Sequence, residues 1–169
     1  QIRRVHGDKF NISTEKMLRF QPLASPMMHR VNVKCEYFFV PNRILWKNWE
    51  DFITGEKDVQ VPLIGNLDEA VIRGSLGDYF GLPKITADEL SISALPFAAY
   101  LKIFDEYYRD QNLQDEEFIE LVDGLNNTYD NVVEMMPLRR AWMHDYFTSC
   151  LPFAQKGDEV TLPLLNNDT

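Results

Sequence analysis

No apolar run in this chain approaches the roughly 18 residues that a membrane-spanning helix requires, and none is expected to cross a bilayer. Cysteine is nearly missing, with only Cys35 and Cys150 and no CxxC spacing. A disulfide framework is thereby excluded, and a reducing compartment is the easier reading. Histidine is as scarce, at His6, His29 and His144. The opening residues place Arg3 and Arg4 before His6, Gly7, Asp8 and Lys9, which is no signal-peptide core. The chain starts at Gln1 rather than Met, which reads as a trimmed piece of something longer. Glycine-rich GSLGDYFG at 74–81 lacks the Gly-Lys-Ser/Thr of a phosphate loop and has no strand before it, so it is expected to be a turn.

What is present is enough for one core: 169 residues, 45% apolar and 12% aromatic. The net charge of −9 argues against wholesale nucleic-acid binding, but the charge is unevenly spread. Residues 1–50 hold nine Lys/Arg against four Asp/Glu, a balance of +5, while the rest hold eight against twenty-two, a balance of −14. One end of the chain can face phosphate while the other faces solvent or partners; the plainer alternative is solvated surface.

The most informative stretch is 28–55. Val31, Val33, Cys35, Tyr37 and Phe39 alternate with Arg30, Asn32, Lys34 and Glu36, the period of a half-buried strand, with Cys35 as a small buried hydrophobe. Pro41 ends the strand, Asn42 caps a helix over 43–54, and Gly55 stops it. Leu45, Trp49, Phe52 and Ile53 share the inward stripe of that helix, with Trp46 beside it. Each such side chain stabilises the fold by roughly 1.5–3 kcal/mol when buried.

Before this unit, residues 1–22 form a basic arm. After it, 56–94 are broken by Pro62, Gly65, Gly74, Gly77, Gly81 and Pro83, with Asn66 and Glu69 capping one or two turns at most. The strongest helix spans 95–110, with Ser93 as cap and Pro96 in the tolerant first turn. It carries one apolar stripe of Phe97, Leu101, Phe104 and Tyr108 and a second of Tyr100, Ile103 and Tyr107, more than one core needs. An acidic helix is expected over 116–122, its first turn holding Asp115, Glu116 and Glu117, and another after Pro137, where Leu138, Trp142 and Tyr146 recur at helical spacing. From Asp158, Val160, Leu162 and Leu164 alternate as an edge strand.

Little in the sequence resembles catalytic chemistry. His144-Asp145 could begin a metal-binding phosphohydrolase dyad, but the coordination sphere would need further His and Asp ligands and only His6 and His29 remain. Ser149-Cys150 has no base placed beside it, and the triplets at Asn11, Asn126 and Asn167 match the glycosylation acceptor without a secretion signal. Arg3, Arg4 and Lys9, interleaved with His6 and Phe10, could track phosphates while the ring stacks on a base; an exposed basic terminus explains them equally well.

Several segments carry a family resemblance. RFQPLASPMMHRVNV running into FFVPNRILWKNWEDFITG, then GSLGDYFGLP, ALPFAAYLKIFDEYYRDQNL and LRRAWMHDYFTSCLPFAQKGDEVTLPL, resemble in the same order the major capsid protein of gokushovirus-like microviruses, small icosahedral single-stranded DNA bacteriophages. Lys47-Asn48 and Glu56 depart from the common pattern, and the segment between Leu113 and Met136 matches least, as a variable loop would.

The resemblance implies a mainly β fold with helical insertions. This chain would be a single domain, 1–169, forming the N-terminal part of a viral eight-stranded jelly roll, with helices and long loops between strands, an insertion over 56–137 and few strands for its length. It implies a structural protein, not an enzyme and without cofactor, that self-assembles into a T=1 icosahedral shell around circular single-stranded DNA. Other virion proteins, such as a DNA pilot or internal scaffolding protein, would be partners, no membrane would be involved, and assembly would occur in the bacterial host cytoplasm. Arg3, Arg4 and Lys9 are then the candidate DNA contacts, and Trp46, Trp49, Phe52, Phe104, Tyr108 and Trp142 the candidate core or subunit-packing residues. The competing readings are a phosphohydrolase using His144 and Asp145 and a nucleic-acid-binding adaptor.

Overall fold

The computed structural model describes residues 12–17, 19, 21–25, 28–65, 72–83, 91–143, 145–147 and 150. The basic cluster Arg3, Arg4 and Lys9, the Asn66–Glu69 cap, His144, Ser149 and the alternation after Asp158 lie outside them. The chain divides into two units, Gln1–Glu36 and Tyr37–Thr169.

The described residues of the first unit form neither helix nor strand. Val31 and Val33 are 67% and 76% exposed, and Lys34 pairs with Glu36 at 2.5 Å. The strand expected over 31–40 is not formed in either unit. Its period-two pattern describes only what each face would prefer, whereas a strand exists through a neighbour's hydrogen bonds, and no described segment forms a ladder with it. Cys35, expected to be buried in that strand, is exposed for the same reason.

The second unit holds the core. Where one helix was expected over 43–54, the chain makes a 3-10 turn at Asn42–Ile44 and then α1, Trp49–Thr54, closed by Gly55 at φ 68°. A continuous helix would turn Leu45 and Trp46 about 100° apart, and the break lets both point inward, each only 1% exposed. Strands β1, Leu63–Ile64, and β2, Ile92–Ser93, pair antiparallel, Leu63 opposite Ser93 and Ile64 opposite Ile92. On the other side of β1, Leu63 N–H donates to Gly124 O and Asn126 N–H to Leu63 O, both at 2.8 Å. Between the strands lies α2, Leu76–Tyr79, in the stretch expected to be only a turn. Ser75 Oγ accepts from Asp78 N–H at 3.3 Å, and Asp78 returns a carboxylate oxygen to Gly74 N–H at 2.9 Å, a reciprocal cap that the sequence reading missed.

Helix α3, Leu95–Tyr107, matches the expected helix to within a turn. Its first stripe is internal, with Phe97, Leu101 and Phe104 at 2%, 1% and 5% exposure. Its second stripe is not: Tyr100 and Ile103 are half-buried and Tyr107 is 61% exposed. A 3-10 turn, Asn127–Tyr129, leads into α4, Asp130–Glu134, which adds Tyr129, Val132 and Val133 to the cluster of Leu45, Trp46, Ile64 and Leu101. The region expected to be a variable loop therefore supplies core. With more helix than strand, the described residues are not mainly β; the few strands for the length agree with expectation.

The acidic helix expected over 116–122 is absent. Leu121 alone of its apolar set is fully inside, Phe118 is half-buried, and Val122 and Leu125 are 59% and 54% exposed. Its amides are held by distant side chains rather than by a helical ladder. The buried Asp105 carboxylate accepts from Glu117 N–H at 3.1 Å and Phe118 N–H at 2.7 Å. Asn126, 4% exposed, accepts from Val122 N–H and donates to the carbonyls of Val122 and Gly124. Its amide nitrogen is thus engaged twice, which removes it as a glycosylation acceptor. The helix expected after Pro137 is absent too: Leu138 is half-buried, while Trp142 and Tyr146 are 86% and 84% exposed. Leu138 N–H donates to Tyr100 Oη at 2.7 Å and Ala141 N–H to Tyr108 O at 2.8 Å, so this segment too follows α3 instead of its own periodicity.

Replacing Asp105 with Ala strips acceptors from two inward-facing amides and leaves Arg109, 3.6 Å from the carboxylate, without that partner. The expected loss is about 2–4 kcal/mol, read as a lower urea midpoint, with Asp105→Asn less severe. A pH dependence is expected from Tyr129, wholly buried, whose hydroxyl donates to Ile119 O. Burial disfavours the phenolate and pushes its pKa from 10.0 up to about 12. The unfolded chain ionises first, so this contribution is complete below pH 10 and falls away as pH rises toward about 12. Stability measured across that window should decline less in Tyr129→Phe, which keeps the shares of Tyr100, also raised by burial, and of Lys57, raised by its pairing with Asp51.

Candidate interaction surface

Trp46 links the first helical segment to the irregular one. Its backbone lies beside Leu121 as an isolated parallel bridge, with Leu121 N–H donating to Leu45 O at 3.3 Å. Its indole Nε1–H donates to Asp123 Oδ1 at 2.7 Å, and Asn48 Nδ2 donates to Asp123 Oδ2 at 2.8 Å. One carboxylate therefore fixes both the tryptophan and the residue that starts α1, which explains why Asn48 makes no cap of its own. Around it, Trp46, Trp49 and Phe52 contact one another with ring centroids 5.5–6.3 Å apart. A shallow cleft of about 350 Å³ opens beside them, lined by Trp46, Lys47, Asn48, Glu120, Val122 and Asp123 among others.

The six aromatic residues singled out from the sequence separate by depth. Trp46 and Phe104 lie in the core and are therefore already buried within the chain. Any energy of association has to come from others. Trp49 and Tyr108 are half-buried, Phe52 is 40% exposed and Trp142 is 86% exposed. Exposed neighbours that the sequence reading did not select include Ile53, Tyr107, Met136, Met143 and Phe147. Tyr107 and Ile53 fell in recognised helical stripes, and only tertiary packing decides which part of a stripe is covered.

The other candidates do not assemble into a site. Asp145 is exposed, and one of its oxygens accepts from Phe147 N–H at 2.9 Å. Among the described residues no group of three His, Cys, Asp or Glu side chains is placed to hold a metal ion. Cys150 is exposed, its thiol 3.5 Å from Tyr146 O.

Removing the Asp123 carboxylate by Asp123→Ala leaves the buried indole N–H unpaired and frees Asn48. A loss of about 1–3 kcal/mol is expected, with a shift in Trp46 fluorescence that Asp123→Glu only partly reproduces; unchanged emission and stability would show that the clamp does not hold the indole.

Known proteins resemble this chain along almost its whole length. The model of the family described as "Capsid protein (F protein)" matches residues 3–168. Capsid protein VP1 of Chlamydia phage 1 is 35% identical over 96% of this chain and 31% of its own length. Capsid protein VP1 of Bdellovibrio phage phiMH2K is 36% identical over 95% and 30%, and that of Spiroplasma virus 4 is 33% identical over 92% and 31%. The chain thus spans about a third of the length of the curated relatives it matches. With the family match over residues 3–168 and relatives at 33–36% identity in agreement with the order of its segments, the chain belongs to the F capsid protein family of the microviruses, in its gokushovirus-like branch.

Proposed function

We propose that the complete protein is a major capsid protein that assembles with copies of itself into a T=1 icosahedral shell enclosing circular single-stranded DNA. The observation that carries this reading is the match to the capsid family over residues 3–168, together with relatives at 33–36% identity that are named capsid proteins. In this reading the chain is the N-terminal part of a jelly-roll domain whose other strands come from sequence that the longer relatives also carry. Exposed Phe52, Ile53, Trp142 and Phe147 favour it, because apolar rings left in water are stabilised by being covered. The basic arm with Arg3, Arg4 and Lys9 would neutralise phosphates of the packaged DNA, and a pilot or internal scaffolding protein would complete the particle. The protein would act without catalysis, in the virion, after assembly in the host cytoplasm. A phosphohydrolase built on His144 and Asp145 gains nothing from relatives that are capsid proteins.

Expression of the complete gene product, followed by sedimentation and negative-stain electron microscopy, should yield closed isometric particles. A product that stays monomeric with no particles under any assembly condition would overturn the shell reading.

A further inference from the structure

Residues 136–143 form no regular element, yet their backbone is fixed to α3 at two places, through Leu138 N–H to Tyr100 Oη and Ala141 N–H to Tyr108 O. Between these anchors stand Arg139 and Arg140, both exposed. The Arg140 guanidinium lies 5.9 Å from the centroid of the Tyr108 ring. Phe38 packs against Tyr107 at 4.8 Å and edge-on to Tyr108 at 6.0 Å, and Tyr107 is still 61% exposed. Trp142, next along the segment, is 86% exposed.

Charge decides what such a surface would accept. The carboxylates along α3 and its C-terminal turn are already engaged: Glu106 pairs with Lys102 at 3.1 Å, Asp105 and Glu116 flank Arg109, and Asp110 accepts from Asn112 N–H at 2.9 Å. Neither Arg139 nor Arg140 takes part in an ion pair among the described residues. An apolar protein surface laid over this patch would desolvate two adjacent guanidiniums without returning a counter-charge. A single-stranded nucleic acid supplies both things the patch lacks, phosphates for the cations and flat bases for the rings.

We propose that the surface formed by Tyr107, Arg139, Arg140 and Trp142 is a contact site for single-stranded nucleic acid, the two arginines meeting consecutive phosphates and the aromatic rings receiving bases. The proposal rests on the shell reading for its partner, and it adds a contact separate from the basic arm. Because the backbone of 138–141 is pinned by two hydrogen bonds, the cations are presented in a fixed frame, which reduces the ordering cost of binding.

The test uses the complete protein and fluorescein-labelled oligothymidylate, followed by anisotropy at several salt concentrations. Joint Arg139→Gln and Arg140→Gln substitution should weaken binding roughly tenfold and reduce the slope of log affinity against log salt by about 1.4. Tyr107→Leu should weaken it at least about fivefold while Tyr107→Phe retains it. A matched Arg43→Gln, Lys47→Gln pair, on another part of the surface, should change it far less. An unchanged slope in the first pair, or an equal loss in the second, would overturn the proposal. Ultraviolet crosslinking of unaltered protein to the same oligonucleotide provides a readout independent of variant folding. Adducts on the peptides holding Tyr107 or Trp142 are expected; adducts confined to other peptides, or crosslinks from this patch only to protein, refute it. Oligonucleotide binding is read without particles, so its failure is distinguishable from failure to form a shell.

Discussion

A peptide group removed from water must find a hydrogen-bond partner, and the irregular segment 115–126 lies against the core without a ladder to supply them. Side chains from elsewhere do so instead. Asp105 reaches it from α3, Tyr129 from the following turn, and Asn126 closes its end. Asp123 then returns the connection by holding Trp46 and Asn48. Once this segment is fixed, Leu121 can sit beside Trp46, β1 can lie between β2 and Gly124, and Tyr129 can enter the core. Loss of one acceptor there costs more than loss of an exposed ion pair such as Lys57 with Asp51, since water readily replaces the latter.

This arrangement also accounts for what could be read in the sequence and what could not. Helix α3 was legible because its signals are local: Pro96 in the first turn, a buried stripe at helical spacing, and no β-branched cluster to oppose it. Gly55 was legible as a stop because only the backbone at that position matters. The segment 116–122 has equally local-looking signals, acidic residues followed by spaced apolar ones, and yet it is no helix. Asp105, more than ten residues upstream in sequence, captures the amides of Glu117 and Phe118 that would have fed a helix. A long-range acceptor of that kind leaves no mark in periodicity. The expected strand at 31–40 is absent for a complementary reason, since alternation sets only the faces and no described segment forms a ladder with it.

The aromatic residues show the same limit at the level of the surface. The two apolar stripes expected over 95–110 pointed to more apolar surface than one core needs, and Tyr107, Phe52, Trp142 and Phe147 remain exposed. Which rings would be covered was not legible, because Trp46 and Phe52 have similar chemistry and differ in depth only through the break before α1. The uncovered rings are the apolar surface that the proposed shell would cover, while Trp46 and Phe104 belong to the core.

The two hydrogen bonds that tie 138–141 to α3 impose a metric on the chain. One staple ends on the backbone of Tyr108 and the other on the far end of the Tyr100 side chain, and only Arg139 and Arg140 stand between the two donors. The register of this strip against the helix is therefore set at two points. Evolution is free to exchange side chains at Arg139 and Arg140 without disturbing either staple, but inserting or deleting a single residue there would throw one staple out of step with the helix.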